Sequence, residues 1–401
     1  MDLELGHGFI PRIGEENYKA VDRCVGPADL FSPDTLELPW AIIDGAWAEG
    51  RPELLNTLRN HQTKLLVDTH GWRYRYGATS ETAKLSTASW SPEATVSLAD
   101  RASGRLLVEA SIRAQAALGA DAYMVPGWMP DDSSEDLRSA YSGIFETIGA
   151  FDDVEARPFV LFVGGHTKGL DRLTALLDEV PHFVSAVYLQ LSPIAPSRDS
   201  PSKLEAVMTA YRHASARGFK VIAGHAGAIT PALRAMGVDA ADAGLATGEA
   251  FDRSGARSSR KKSDDEQSSG GGRRSRMYFS QIDRSLDATV VERLMAVPGA
   301  AAELRGCRLL CHRFRGDHVL EHAREHSLWT RVQEAQLVNS LPSSMRMTQV
   351  YEPRAGSVDP DRGGDPRLTG CNQGRAGCHR TCRGQGRRAG QVGAEPATFG
   401  L

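Results

Sequence analysis

From about Leu38 the chain alternates short apolar runs, each ending in a polar residue or glycine, with longer stretches whose apolar positions recur at helical spacing. The runs predicted as strands are residues 41–44, 64–68, 122–125, 159–163, 186–191, 220–223, 240–245 and 277–281. Between them, residues 52–60, 102–118, 134–149, 170–179, 202–217 and 231–235 read as helices, with Pro52 and Pro231 suited to first-turn positions where a missing N–H is harmless. This alternation builds a parallel sheet, because parallel neighbours need a crossover connection. Eight strands is the number that closes a barrel. An open doubly wound sheet would give the same rhythm, but no Gly-rich dinucleotide fingerprint follows the first run. The expected fold class is therefore α/β, a (β/α)8 TIM-type barrel.

The barrel is assigned to residues 38–300, behind an N-terminal extension of residues 1–37. Residues 253–276 break the pattern with Arg-Ser-Ser-Arg-Lys-Lys, then Ser-Asp-Asp-Glu, then Gly-Gly-Gly-Arg-Arg-Ser-Arg. They read as a mobile basic loop, either a solvated linker or an arm that contacts phosphates. Residues 301–350 form a separate helical subdomain, and residues 351–401 are Gly- and Arg-rich with almost no apolar pattern, so they are expected to be disordered. The net charge of −3 over 401 residues marks neither a nucleic-acid binder nor an enzyme for acidic substrates. No stretch of about 18 consecutive apolar residues occurs, and Met1-Asp-Leu-Glu-Leu lacks a positive leader, so a cytoplasmic protein without a membrane partner is expected.

Barrel side chains just beyond the strand C-termini converge on one face. Here those positions read Asp68-Thr-His70-Gly71-Trp72, Gly164-Gly165-His166, Gly224-His225-Ala226-Gly227 and Gly237-Val-Asp239-Ala-Ala-Asp242. Each has a structural explanation alone: Asp68 caps a turn, or a histidine bonds within the core. Together at one mouth they point to a site. Two carboxylates can divide the labour of glycosidic chemistry, one as nucleophile and one as proton carrier. The glycines, Gly71, Gly164, Gly165, Gly224 and Gly227, would let a flat ligand approach backbone amides, or serve only the loop conformation.

A second constellation follows the barrel. The six cysteines fall as lone Cys24, the pair Cys307 and Cys311, and Cys371, Cys378 and Cys382 in the tail, a clustering that suits metal better than a disulfide framework. Cys307, Cys311, His322 and His326 have C-x3-C-x10-H-x3-H spacing, close to that of tetrahedral structural Zn2+ sites, and the two histidines share a helix face. The other reading is a solvated helix rich in Arg, Glu and His.

In this order the motifs resemble the tRNA-guanine transglycosylase family, across about residues 40–347. The segment ending in Asp242 is similar to that family's Gly-x-Asp-x-Phe-Asp, which implies that Asp242 attacks the ribose anomeric carbon. Asp68-Thr-His70-Gly71-Trp72 is similar to its Asp-Ser-Gly-Gly-aromatic segment and implies that Asp68 is the general acid/base. Gly224-His225-Ala-Gly227 falls at its base-binding loop, and the Cys pair with the His-bearing helix at its zinc subdomain. The resemblance implies exchange of guanine for a 7-deazaguanine in tRNA or DNA through a covalent ribosyl-Asp intermediate. It implies contacts from His70, Gly71, Trp72, Gly165, His166, Gly224, His225 and Gly227, structural Zn2+, and a homodimer as the assembly to test for.

This chain departs from the family where a base-recognising Asp is expected, reading Met124-Val-Pro126-Gly127-Trp128. It also has Ala241 before Asp242, Leu245-Ala-Thr247 in place of Pro-Thr-Arg, and no Cys-x-Cys. The reaction type is thus better marked than the base. Trp72 and Trp128 are either base-stacking residues or apolar anchors. Two rivals stand beside this reading. One is a metal-dependent hydrolase using Asp68, His70, His166, His225 and Asp242; the other is a non-catalytic nucleic-acid-binding protein.

Overall fold

The structure, a computed structural model, describes residues 3–15, 17–26, 35–74, 88–90, 97–98, 100–130, 137–151, 157–194, 199–245, 276–280, 284–297 and 322–348. Among them, eight parallel strands form one sheet: β1 (Phe9–Ile13), β2 (Trp40–Asp44), β3 (Lys64–Asp68), β4 (Tyr123–Val125), β5 (Phe159–His166), β6 (Val184–Ser192), β7 (Lys220–Gly224) and β8 (Ala240–Ala243). Their order is β3-β2-β1-β8-β7-β6-β5-β4. A parallel bridge between Leu66 and Ala122 brings the two end strands together. There Asp121 N–H donates to the Leu65 carbonyl at 2.9 Å, and Leu65 N–H donates to the Asp121 carboxylate at 2.8 Å. The fold is an α/β TIM-type barrel.

Helices α1 (Tyr18–Val25), α2 (Gly45–Ala48), α3 (Pro52–Asn60), α4 (Arg101–Ala117), α5 (Leu137–Gly149), α6 (Leu170–Leu177), α7 (Pro201–Ala216) and α8 (Thr230–Ala235) separate the strands. Their starts follow local chemistry. Asp100 accepts a bond from Ser103 N–H and Ser200 one from Lys203 N–H, each satisfying an amide that the first turn orphans, while Pro52 and Pro201 open their helices.

The first barrel strand is not where the apolar pattern places it. β1 lies in the stretch assigned to an N-terminal extension and pairs with β2 and β8 at the centre of the ladder. Its sequence, Phe-Ile-Pro-Arg-Ile, conceals it, since Pro11 argues against a central strand and Arg12 interrupts the apolar run. The run near Met277, taken as the eighth barrel strand, is β9 (Arg276–Phe279) of an antiparallel hairpin with β10 (Arg284–Asp287). That hairpin packs on α9 (Ala288–Met295) and α10 (Ala323–Ser340). α10 also covers β1 and α1 from outside.

Ile10, Trp40, Ile42, Leu66, Met124, Phe162, Tyr188, Ile222 and Ala240 fill the lumen as one buried cluster. Alternate strand residues face the helices instead, Val67, Val125, Val163, Leu189 and Ala223 among them. Because side chains alternate with period two, the next inward positions toward the C-terminal mouth are Arg12, Asp44, Asp68, Pro126, Gly164, Gln190, Gly224 and Asp242. The lumen is thus apolar below and polar at its mouth. No helix among the described residues is long and apolar enough to cross a membrane.

Candidate active site

Asp242, Arg12, Asp44 and Asp68 stand on four successive strands of the sheet, β8, β1, β2 and β3. The Arg12 guanidinium ties Asp242 and Asp68 together, and His70 links Asp44 to Asp68. Arg12 Nε donates to Asp242 Oδ2 at 2.9 Å, its Nη1 to Asp68 Oδ2 at 2.5 Å and its Nη2 to the Tyr188 hydroxyl at 2.8 Å. Tyr188 in turn donates to Asp242 Oδ1 at 3.0 Å. The Asp242 side chain is fully buried, and those of Asp68 and Arg12 are 6% and 14% exposed. Charges this deep persist only when paired and hydrogen-bonded, which one planar fork achieves for both carboxylates.

Two histidines repeat one backbone device. His70 and His225 take left-handed φ values of +51° and +48°, unusual for residues with a Cβ. His70 N–H donates to Asp68 Oδ1 at 2.7 Å, and His225 N–H to Asp242 Oδ1 at 2.6 Å. The strained turn at each strand end turns an amide back onto a carboxylate. Strain of this kind is retained where the surroundings over-determine it. The rings add to the network: His70 Nε2 lies 3.0 Å from Asp44 Oδ2 and its Nδ1 3.3 Å from Asp68 Oδ2, while His225 Nε2 is 3.9 Å from Asp242 Oδ2.

Burial alone would push the carboxyls of Asp68 and Asp242 upward. The neighbouring imidazoles, Arg12 and the donated amides outweigh it and hold both below the ordinary carboxylate range. Asp44 is likewise lowered, against its own burial, by the bond and charge of His70. Burial raises the Tyr188 hydroxyl well above its usual value, so it stays a proton donor. Two ionised carboxylates, Asp68 and Asp242, therefore share one permanent cation, with a third, Asp44, beside His70. Such a mouth favours positive charge arising within it.

The other site residues expected from sequence are distributed unevenly. His70 and His225 join the cluster. His166, at the end of β5, accepts the Lys168 N–H at 3.2 Å in a local turn. Trp72 is buried and stacks on Phe162 with centroids 6.3 Å apart, and Phe162 stacks on Tyr188 at 5.7 Å, so Trp72 belongs to the lumen and not to a stacking platform. A Cβ at Gly71 would meet the Pro126 ring at 2.4 Å, one at Gly165 the Leu191 side chain at 2.6 Å and one at Gly224 the Tyr188 ring at 2.4 Å. These glycines make room for protein neighbours. Gly227 is buried with φ +61°.

Of the four expected zinc ligands, Cys307 and Cys311 lie outside the described residues, as do residues 253–275 and 351–401. His322 precedes α10, with Nδ1 2.9 Å from Arg23 Nη1. His326 is a core residue: its Nε2 donates to the Tyr278 carbonyl at 3.0 Å, its ring contacts Phe279, and burial lowers its pKa to about 4. That engaged nitrogen does not suit a ligand. Among the described residues no group of three or more His, Cys, Asp or Glu side chains is placed to hold a metal ion.

Sequence reasoning missed Arg12, Tyr188 and Asp44. The signal for Arg12 is chemical: two aspartates at the ends of apolar strands require a cation.

No protein family and no curated protein matches the chain. Among solved structures, it is similar to the crystal structure of dihydrodipicolinate synthase from Bacillus clausii, at 13% identity and a TM-score of 0.33, over 60% of this chain and 69% of that one. A likeness this distant carries no argument about chemistry.

Proposed function

We propose that the chain is a base-exchange glycosyltransferase acting at the barrel mouth, replacing guanine by a 7-deazaguanine-type base in tRNA or DNA. The observation that supports this reading is the gathering of Asp68 and Asp242, 174 residues apart in sequence (242 − 68), onto one buried guanidinium at the C-terminal ends of their strands. Cleavage of a glycosidic bond develops positive charge on the sugar ring. Two buried carboxylates on one arginine, with Asp44 beside them on His70, suit that charge.

In the resting arrangement both Asp242 oxygens accept bonds, Oδ1 from Tyr188 and the His225 amide, Oδ2 from Arg12. Attack on the sugar C1 therefore begins with Arg12 leaving Oδ2, while Tyr188 and the amide keep the carboxylate oriented. The new bond joins Oδ2 to C1 as the C1–N bond breaks and its electron pair passes to the base. Withdrawal of Arg12 also removes one of the two charges, after that of His70, that depress the Asp68 pKa. Asp68 can then take a proton from the His70 ring beside it and pass it to the departing base. The incoming base reverses these steps.

The decisive experiment is incorporation of labelled guanine or a labelled 7-deazaguanine into tRNA and duplex DNA. Wild type should label one of them, and Asp242→Asn should abolish labelling while remaining folded, with a lowered Tm because Arg12 loses a paired carboxylate. If both nucleic acids bind and neither is labelled, the reading fails. Salt-dependent binding unaffected by Asp242→Asn would instead support the non-catalytic binder.

A further inference from the structure

Asp44 is the inward residue of the charged strands to which base exchange has so far given no part. It stands beside Asp68 in the parallel register of β2 and β3, and the His70 ring bridges the two carboxylates. Three contacts fix that bridge. Asp44 Oδ1 accepts the Trp47 N–H at 3.1 Å as the N-cap of α2, while its Oδ2 lies 3.0 Å from His70 Nε2. On the other side the His70 N–H is held on Asp68 Oδ1 at 2.7 Å. The side chains grade inward from solvent, with Asp44 35% exposed, His70 11% and Asp68 6%.

These contacts decide which ring nitrogen is able to exchange a proton. Burial raises the Asp44 carboxyl, but the bond and charge of His70 outweigh it, so Asp44 is ionised at neutral pH. An ionised carboxylate only accepts, and Nε2 therefore carries its proton. Nδ1 is the nitrogen left over. It is buried without a hydrogen bond among the described residues, and Asp68 Oδ2, 3.3 Å away, is occupied by Arg12. A buried polar atom in this state costs free energy until a partner becomes free. With the ring neutral, Nδ1 and Oδ2 are two acceptors face to face, and one proton between them satisfies both.

We propose that Asp44 and His70 are the proton store of the barrel mouth: Asp44 commits the Nε2 proton and orients the ring, and Nδ1 releases and recovers the reaction proton through Asp68 Oδ2 when Arg12 vacates it. The proposal rests on the base-exchange reading. As the first base departs, the Nδ1–H bond breaks and an Oδ2–H bond forms, and Asp68 passes the proton to the base nitrogen that leaves with the C1–N electron pair. The ring stays neutral with Nε2–H on Asp44. The incoming base gives its N–H proton to Asp68, which returns it to Nδ1, so a full turnover consumes none. Asp44 acts through the ring, as a positioning residue. The charged groups around that ring are Asp44 on β2, Asp68 on β3 and, beyond Asp68, Arg12 on β1.

The test reads tautomer and rate separately on the full chain. NMR of protein with isotopically labelled histidine nitrogens, at a pH where the ring is neutral, should find the His70 proton on Nε2, the signal being assigned by its loss in His70→Gln. Asp44→Asn keeps an oxygen for the Trp47 amide, since Asn caps as well as Asp, but turns an NH2 donor toward Nε2. The ring proton should then move to Nδ1. Base exchange by Asp44→Asn should fall roughly 10²- to 10⁴-fold in kcat, with KM changed less than about twofold. A wild-type ring protonated on Nδ1 when neutral would overturn the proposal, even where the variant is too unstable to assay. Exchange by Asp44→Asn at the wild-type rate would overturn it while leaving base exchange in place. Expected tautomers in a wild type that labels neither nucleic acid would overturn base exchange instead, and leave the Asp44–His70 pairing in place.

Discussion

The two halves of the barrel mouth are built on opposite principles. On β8, β1, β2 and β3 the last inward positions are Asp242, Arg12, Asp44 and Asp68; on β7, β6, β5 and just past β4 they are Gly224, Gln190, Gly164 and Pro126. The charged half is held by ion pairs among its own side chains. The neutral half is held by packing, since its glycines are occupied by neighbours: the Tyr188 ring at Gly224, and Trp128 and Met129 at Gly164. Glycine at a strand end suggests an opening for a ligand, whereas here it marks a filled space. The charged groups therefore belong to one side of the mouth, and Tyr188, rising from the neutral half to bond Arg12 and Asp242, is the link between the two.

The sharpest way to break the charged half is Arg12→Met. It leaves two buried carboxylates without their cation, and loss of one partner from such a group costs about 3–5 kcal/mol. Chemical denaturation at neutral pH should show it, and adding Asp68→Asn and Asp242→Asn should recover much of the loss. The pH dependence has a definite sign. Both aspartates have folded pKa values below the unfolded value of about 3.9, so the stability they contribute is present above that pH and lost as pH falls below it. The gap between wild type and Arg12→Met should be widest near neutrality and close below about pH 4. A constant gap would mean that Arg12 acts by packing alone.

The neutral half answers to steric change instead. A Cβ at Gly127 would stand 1.9 Å from the Phe162 carbonyl oxygen and 2.7 Å from the Tyr141 hydroxyl, neither able to retreat easily. Gly127→Ala should cost about 1–3 kcal/mol, independent of pH, because overpacking forces backbone shifts. Gly14→Ala, with nothing within 4 Å, is the silent control. Equal effects at both positions would show that the neutral half is looser than its contacts indicate.

The same contrast explains what the sequence made legible. Strands with ordinary apolar runs were placed within a residue or two at their starts, and helix 52–60 coincides with α3, since Pro52, Leu54, Leu55 and Leu58 carry both the start signal and the buried face. Asp68 and Asp242 are legible because one ends an apolar strand and the other lies one residue before the end of another. β1 is not, because its chemistry defeats its periodicity: an inward arginine looks like a surface residue until the carboxylates that need it are known. Met277 was misplaced for the converse reason, since Met277 and Phe279 bury against Val291 and Ala323 rather than inside the barrel. Period two reports that one face is buried, not what covers it.

The smallest predicted effect separates the two histidines within the charged half. Each spends backbone strain to aim an amide at an aspartate, but their rings differ: His70 Nε2 lies 3.0 Å from Asp44 Oδ2, whereas His225 Nε2 is 3.9 Å from Asp242 Oδ2, beyond a hydrogen bond. Glycine adopts left-handed φ without penalty and keeps the N–H. His225→Gly should therefore hold its amide on Asp242 and change stability by about 1 kcal/mol or less, in the stabilising direction if relief of strain exceeds the loss of the ring. His70→Gly gains the same relief but loses the bond to Asp44, and should be the less stable of the two. Paired denaturation curves decide the order. If His225→Gly is the more damaging, its ring contributes to the charge on Asp242 more than the distance implies, and the two turns are less alike than their backbones.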